Sequence, residues 1–287
     1  MYPFERIFFP ASGSKMLSVL FGKQMALNKL LCVAESHVNN PEFVFAVVDT
    51  ETTGLDPKND KLTEVCVSRF VYGHGTIFKI SGGYSGLQDP GFPLSETIKK
   101  ITGLTDADLA GKSIDKKALE QAFEGVSFVV AHNANFDKSF LEGFLAGSDI
   151  KIPDRWACSS SDIPWSDWGI SSRKLDYLCM IHGFYYDAHR AQIDVDALGL
   201  LLSFCDPEGK TLIEYLRDAA KDSRHTINAF VRFEDKDILK SNGFYWNAEF
   251  KSWDRTVTGS NLKDLLEWLN QNLPTCRARI TEILPRA

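Results

Sequence analysis

The residues of this chain best suited to chemistry are Asp49 and Glu51, in Asp49-Thr50-Glu51-Thr52-Thr53-Gly54, joined further along by Asp137, His189 and Asp194. Four carboxylates and one imidazole are the parts required to hydrolyse a phosphodiester with a pair of divalent cations. Two such ions about 4 Å apart can activate a water and stabilise the leaving oxygen of an in-line displacement. They need several hard oxygen ligands, and a nearby imidazole can take the proton of the attacking water. Each residue alone has an ordinary explanation. An Asp and a Glu two apart are common on solvated strand ends, Asp137 suits a helix N-terminus, and His189 suits a surface loop. The information lies in five matching residue types on three segments, each anchored to an expected strand or helix.

The elements that must position them follow from periodicity. Residues 42–48 form a short continuous apolar run rich in Val and Phe, as in a strand buried on both faces. If that strand runs on through Glu51, Asp49 and Glu51 point to one face. Thr52-Thr53-Gly54 then offers a residue free to take positive φ, so that the backbone can turn beside a substrate. Residues 126–131 read as a second buried strand. A helix capped near Asn135 follows, with Phe136, Phe140 and Phe144 as its apolar stripe and Asp137 in its first turn. His189 precedes a helix over 191–204 that carries Asp194. Asp196, about 200° further round that helix, faces elsewhere and is not counted as a ligand.

These three segments resemble the DEDDh exonuclease family, which includes the proofreading epsilon subunit of bacterial DNA polymerase III and ribonuclease T. The likeness covers roughly residues 43–204. It includes Lys99-Lys100-Ile101-Thr102-Gly103-Leu104-Thr105, Lys174-Leu175-Asp176-Tyr177-Leu178 and the ribonuclease-T-like wording Asn133-Ala134-Asn135-Phe136-Asp137. The resemblance implies an α/β fold, a ribonuclease-H-like mixed sheet flanked by helices. It implies two Mg²⁺ or Mn²⁺ ions on Asp49, Glu51, Asp137 and Asp194, with His189 as general base. It also implies that Thr52, Thr53 and Gly54 lie against the terminal nucleotide and that His132 and Asn133 line its pocket. For His132, fixing the strand-to-helix turn by hydrogen bonds is an equal alternative. Family members often carry Asp-Thr after the second motif's helix, whereas residues 155–165 here read Arg-Trp-Ala-Cys-Ser-Ser-Ser-Asp-Ile-Pro-Trp.

With 287 residues, 44% hydrophobic and 24% charged, the chain has room for one ordinary core and an extra module. No stretch reaches the apolar length of a membrane span. Six cysteines without Cys-x-x-Cys spacing suggest free thiols in a reducing, cytoplasmic setting. The net charge of −6 divides unevenly: residues 1–206 hold 19 Lys+Arg against 26 Asp+Glu, residues 207–287 hold 13 against 12. An acidic body argues against strong grip on long duplexes and for weak, salt-sensitive binding at one strand end.

The expected organisation is an N-terminal helical extension over 1–40 (helix near 14–35), an exonuclease domain over 41–206, and a small aromatic-rich α+β module over 207–287. That module's aromatics, interleaved with Lys236, Lys240, Lys251 and Arg255, serve either its own core, the preferred reading, or base stacking. The expected activity is 3′–5′ hydrolysis of single-stranded DNA to nucleoside 5′-monophosphates, in reach of a polymerase or repair partner and with no membrane association. The competing expectations are a 3′–5′ exoribonuclease and a catalytically silent nucleic-acid-binding or scaffold protein.

Overall fold

The computed structural model describes residues 41–248 and 250–283. They fall in two compact units divided between Arg217 and Asp218. The helix expected over 14–35 lies outside the described residues.

In the first unit, β1 (Phe43–Thr52), β2 (Leu62–Gly73), β3 (Thr76–Leu87), β4 (Phe128–Ala131) and β5 (Trp156–Cys158) form one sheet in the order β3-β2-β1-β4-β5. Neighbours from β3 to β1 are antiparallel; β4 and β5 continue the sheet in parallel. The helices of this unit are α1 (Glu96–Thr102), α2 (Asp106–Leu109), α3 (Lys116–Gln121), α4 (Ala134–Leu145), α5 (Leu175–Ile181) and α6 (Ala191–Leu201), and the division between the units falls within α7 (Leu212–Lys221). This is the ribonuclease-H-like mixed sheet flanked by helices.

Alternation along β1 builds two different cores. Ala46 and Val48 pack with Phe140, Leu141 and Leu145 of α4. On the other face Phe45 stacks on Phe70 and Phe128, with ring centroids 5.4 and 5.8 Å apart, and α6 covers this side of β1 and β2. Gly199 permits that close approach, since a Cβ there would lie 2.5 Å from the Phe70 ring. One face of β1 thus belongs to α4 and the other to α6. Helices α4 and α6 are ordered against the same strand.

The second unit runs β6 (Arg224–Phe230), α8 (Lys236–Ser241), β7 (Tyr245–Asn247), β8 (Ser252–Thr258), α9 (Gly259–Asn272) and β9 (Arg277–Ile283). Its antiparallel sheet has the order β7-β8-β6-β9, a split β-α-β pattern. Ile227, Ala229 and Val257 meet Leu239 of α8 and Leu265 and Leu269 of α9. The reading that the aromatics serve this core holds for Phe244, which is buried, and for Trp253 and Trp268, which are partly buried. It fails for Phe233, Tyr245, Trp246 and Phe250, each more than half exposed. The named cations sit largely on the module's own rings: Lys236 lies 3.5 Å from the centroid of Phe233, Lys240 5.7 Å from Trp253 and Arg255 5.9 Å from Phe244.

Candidate metal centre

Strand β1 extends through Glu51 to Thr52, so Asp49 and Glu51 emerge on the face that α6 covers. Asp194 lies in the first turn of α6, directly over that strand end. Carboxylate oxygens of Asp49, Glu51 and Asp194 all lie within 4.8 Å of one another. Asp196, buried on another side of α6, is not in this group among the described residues.

Asp137 arrives by a different route. The turn after β4 places it in the first turn of α4, and it is buried there. Thr50, whose side chain points to the α4 face, donates from Oγ1 to Asp137 Oδ1 at 2.8 Å. Asp137 is therefore held at the end of β1 from the side opposite Asp194, near enough to Asp49 for their charges to interact.

The loop before α6 is fixed by its own backbone. His189 N–H and Arg190 N–H donate to Asp194 Oδ2 at 2.8 and 3.0 Å, and the Tyr186 hydroxyl donates to Oδ1 at 3.0 Å. His189 is exposed and adopts φ +72°, a left-handed conformation that a non-glycine residue keeps only when its surroundings hold it. The two N–H bonds to Asp194 are that hold.

A second carboxylate beneath the loop escaped the sequence reading. Glu64, on β2 opposite Glu51 in the ladder, is buried. It accepts Arg190 Nε at 3.1 Å and Nη2 at 3.2 Å, and the Ala191 N–H at 3.3 Å. Like charges directly opposite on a sheet repel; the forked guanidinium offsets this for Glu64 and ties the His189-Arg190 segment to β2. The legible signal was a glutamate inside the apolar run Leu62–Val67, a position tolerated only with a partner. Glu64→Gln should raise the Mg²⁺ concentration needed for half-maximal activity by about 10–100-fold, the usual loss when an orienting partner is removed. Titrating activity with Mg²⁺ at matched fold stability checks this. An unchanged Mg²⁺ requirement would show that Glu64 does not orient the site.

Electrostatically the cluster is suited to a cation. Burial, then Asp137, Asp194, Glu51 and Glu64, hold Asp49 well above the usual carboxylate range. Burial and the same neighbours push Glu51 to about 8, and burial raises Asp137 to about 7 against the opposing Thr50 bond. Burial also raises Asp194, against the bonds from Tyr186, Arg190 and His189. Such groups cannot all ionise without added positive charge. Hard oxygen donors converging at this spacing fit a divalent ion such as Mg²⁺ or Mn²⁺.

A pH dependence follows. Glu51 and Asp137 have folded values above their ordinary 4.5 and 3.8. Their contribution to stability is complete below those ordinary values and is lost as pH rises through about 7–8. The metal-free protein should therefore melt at a lower temperature near pH 8 than near pH 5, and Mg²⁺ should raise Tm more at the higher pH. Thermal melts in EDTA and in Mg²⁺ at both pH values check it. An equal Mg²⁺ effect at the two would count against ionisation-linked binding.

Of the residues expected to meet substrate, Thr52 is buried and donates from Oγ1 to Gly54 O at 2.5 Å. Thr53 donates from Oγ1 to Asp60 Oδ1 at 3.2 Å and accepts the Lys61 N–H at 3.0 Å. Gly54 is not among the positive-φ residues, contrary to the expected turn. The Asp60 carboxylate, which closes the loop, occupies the place where a Cβ would stand, so any larger residue would have to displace it. Asn133 is exposed at the N-terminus of α4 without a side-chain cap bond. His132 has both ring nitrogens engaged, with Ser159 Oγ at 2.8 Å and Arg173 O at 2.7 Å. Burial lowers its pKa to about 4, so it is a neutral brace of the strand-to-helix turn.

Residues 46–153 match the RNase T exonuclease family model. The chain is 32% identical over 205 residues to a DNA polymerase III PolC-type of Halalkalibacterium halodurans, covering 68% of this chain and 14% of the relative. A second PolC-type polymerase, from Lacticaseibacillus paracasei, is 32% identical over 218 residues, with the same 68% and 14% covered. The chain thus spans a small part of these relatives' length. Among solved structures it is similar to exonuclease X in complex with 5′-overhanging duplex DNA (23% identity, TM-score 0.42, 55% of this chain and 89% of that one). It is also similar to the zinc-bound form of the E. coli ExoI–ssDNA complex (15% identity, TM-score 0.49, 70% and 50%).

Proposed function

From the membership of this chain, through residues 46–153, in the DnaQ-like 3′–5′ exonuclease family, we propose that it hydrolyses single-stranded DNA from the 3′ end with two divalent cations. The products are nucleoside 5′-monophosphates. The observation that carries this reading is the convergence of Asp49, Glu51 and Asp194 within 4.8 Å on one strand end, with Asp137 held beside them by Thr50.

Asp49, Glu51, Asp137 and Asp194 hold the ions, Mg²⁺ or Mn²⁺. When bound, the cations supply Lewis acidity for the attacking and leaving oxygens. His189, exposed on a loop pinned to Asp194, takes the proton of the attacking water. Tyr186, Arg190 and Glu64 keep Asp194 and that loop in place. Thr52, Thr53 and Gly54 form the wall against the terminal nucleotide, Asn133 lines its pocket, and His132 braces the strand-to-helix turn. Residues 41–206 act as the exonuclease domain and 207–287 as an accessory module. The names of the PolC-type relatives support DNA over RNA and a polymerase partner; a cytoplasmic setting and a repair partner belong to the same proposal. No helix among the described residues is long and apolar enough to cross a membrane.

The test is a side-by-side degradation of labelled single-stranded DNA, duplex DNA and RNA in Mg²⁺ and in Mn²⁺. Faster shortening of single-stranded DNA than of the others is expected. Faster loss of RNA would reassign the substrate, and no product with any of them would remove the enzymatic reading.

A further inference from the structure

We propose that the helix-free face of the C-terminal sheet is a second binding surface for single-stranded DNA. The choice of DNA as ligand rests on the function proposed above; the surface itself rests on the sheet register. Residues paired across neighbouring strands project from the same face. Ile227, Ala229 and Val257 pack under α8 and α9, so the residues alternating with them face the other way. On that face one cross-strand row reads Arg279, Asn228, Asp254, Tyr245, running from β9 through β6 and β8 to β7. The next row places Arg277 beside Phe230, and the row on the other side is Thr281, Thr226, Thr256. Tyr245 and Phe230 are 51% and 41% exposed, and Arg277 and Arg279 are exposed.

The chemistry of these rows selects the occupant. No aliphatic side chain stands in them, so an apolar helix has nothing to bury against. Two arginines along one edge suit phosphates, and two exposed rings suit bases, whose stacking tolerates any sequence. The single carboxylate does not oppose this. Asp254 is 2% exposed and accepts Asn228 Nδ2 at 2.7 Å, Asn247 Nδ2 at 2.7 Å and Ser252 Oγ at 2.6 Å. Its charge is spent tying three strands together beneath the surface. The strands lie about 4.8 Å apart, so Arg279 and Tyr245, three strands from each other, span about 14 Å. That is room for a few unstacked nucleotides.

The experiment is fluorescence anisotropy of a labelled oligo-dT with the full chain in EDTA, where no hydrolysis intervenes. Failure of the catalytic reading would appear as absent hydrolysis in Mg²⁺ and leaves this measurement intact. Tyr245→Ala should weaken binding about 10-fold, as loss of one stacked base does, while Tyr245→Phe keeps wild-type affinity. Arg277→Glu with Arg279→Glu should weaken it further and reduce the slope of log K against log salt by about 1.4, two phosphate contacts on a single strand. Thermal melts and circular dichroism matching wild type should show that every variant folds. Affinities within twofold of wild type with an unchanged salt slope would overturn the proposal. So would equal losses for Tyr245→Phe and Tyr245→Ala.

Discussion

Asp49→Asn lowers 3′-end hydrolysis by at least about 10³-fold, the equivalent of about 4 kcal/mol of transition-state stabilisation that a bound cation provides, while Tm in EDTA stays level or rises. The reason for both effects is the same crowding. Asp49 is raised by burial and by four neighbouring carboxylates, so neutralising it relieves repulsion in the metal-free protein and removes a ligand from the loaded one. Asp194 is a less clean target. Its carboxylate accepts the N–H groups of His189 and Arg190 and the Tyr186 hydroxyl, so Asp194→Ala releases the loop and offsets the gain. The contrast is itself diagnostic: both variants lose activity, and only Asp194→Ala loses stability. Retention of near-wild-type turnover by Asp49→Asn would sink the metal assignment.

His189→Ala should lose about 10²–10⁴-fold in kcat, the range for removal of a positioned general base, with its Mg²⁺ requirement unchanged. The residue binds Asp194 through its backbone N–H, which alanine retains. Its side chain can therefore be removed without dismantling the site. His189→Gly is the matched control, because glycine relaxes the φ of +72°. It should lose as much rate as alanine while melting no lower. Partial recovery of rate at raised pH, where hydroxide replaces the base, separates proton transfer from positioning. A loss smaller than tenfold in both variants would remove His189 from the proton path.

Much of this site was legible because its parts obey short-range rules. The Val- and Phe-rich run placed β1, a spacing of two put Asp49 and Glu51 on one face, and a spacing of 3.6 turned Asp196 away from Asp194. Helices α4 and α6 begin within a residue or two of the expected places, although α6 stops at Leu201, three residues short of Phe204. Other features depend on contacts between distant segments. Glu64 and Arg190 are 126 positions apart, and Thr50 and Asp137 are 87 apart. No periodicity announces which loop docks on which strand. Gly54 shows the limit from another side: its φ is not positive, and the space a Cβ would take is filled by the Asp60 carboxylate, a contact no local pattern announces. In the C-terminal unit the basic and aromatic residues were visible, but only strand register divides Arg255 and Trp253 from Arg279 and Tyr245.

The most direct test of the central claim follows a 5′-labelled single strand of DNA over time with wild-type protein in Mg²⁺, with Asp49→Asn and EDTA lanes beside it. The account predicts a ladder of progressively shorter labelled strands, release of nucleoside 5′-monophosphates, and no change in either control lane. A label released at once as a mononucleotide, a ladder that persists in Asp49→Asn, or an intact strand in both Mg²⁺ and Mn²⁺ would contradict it.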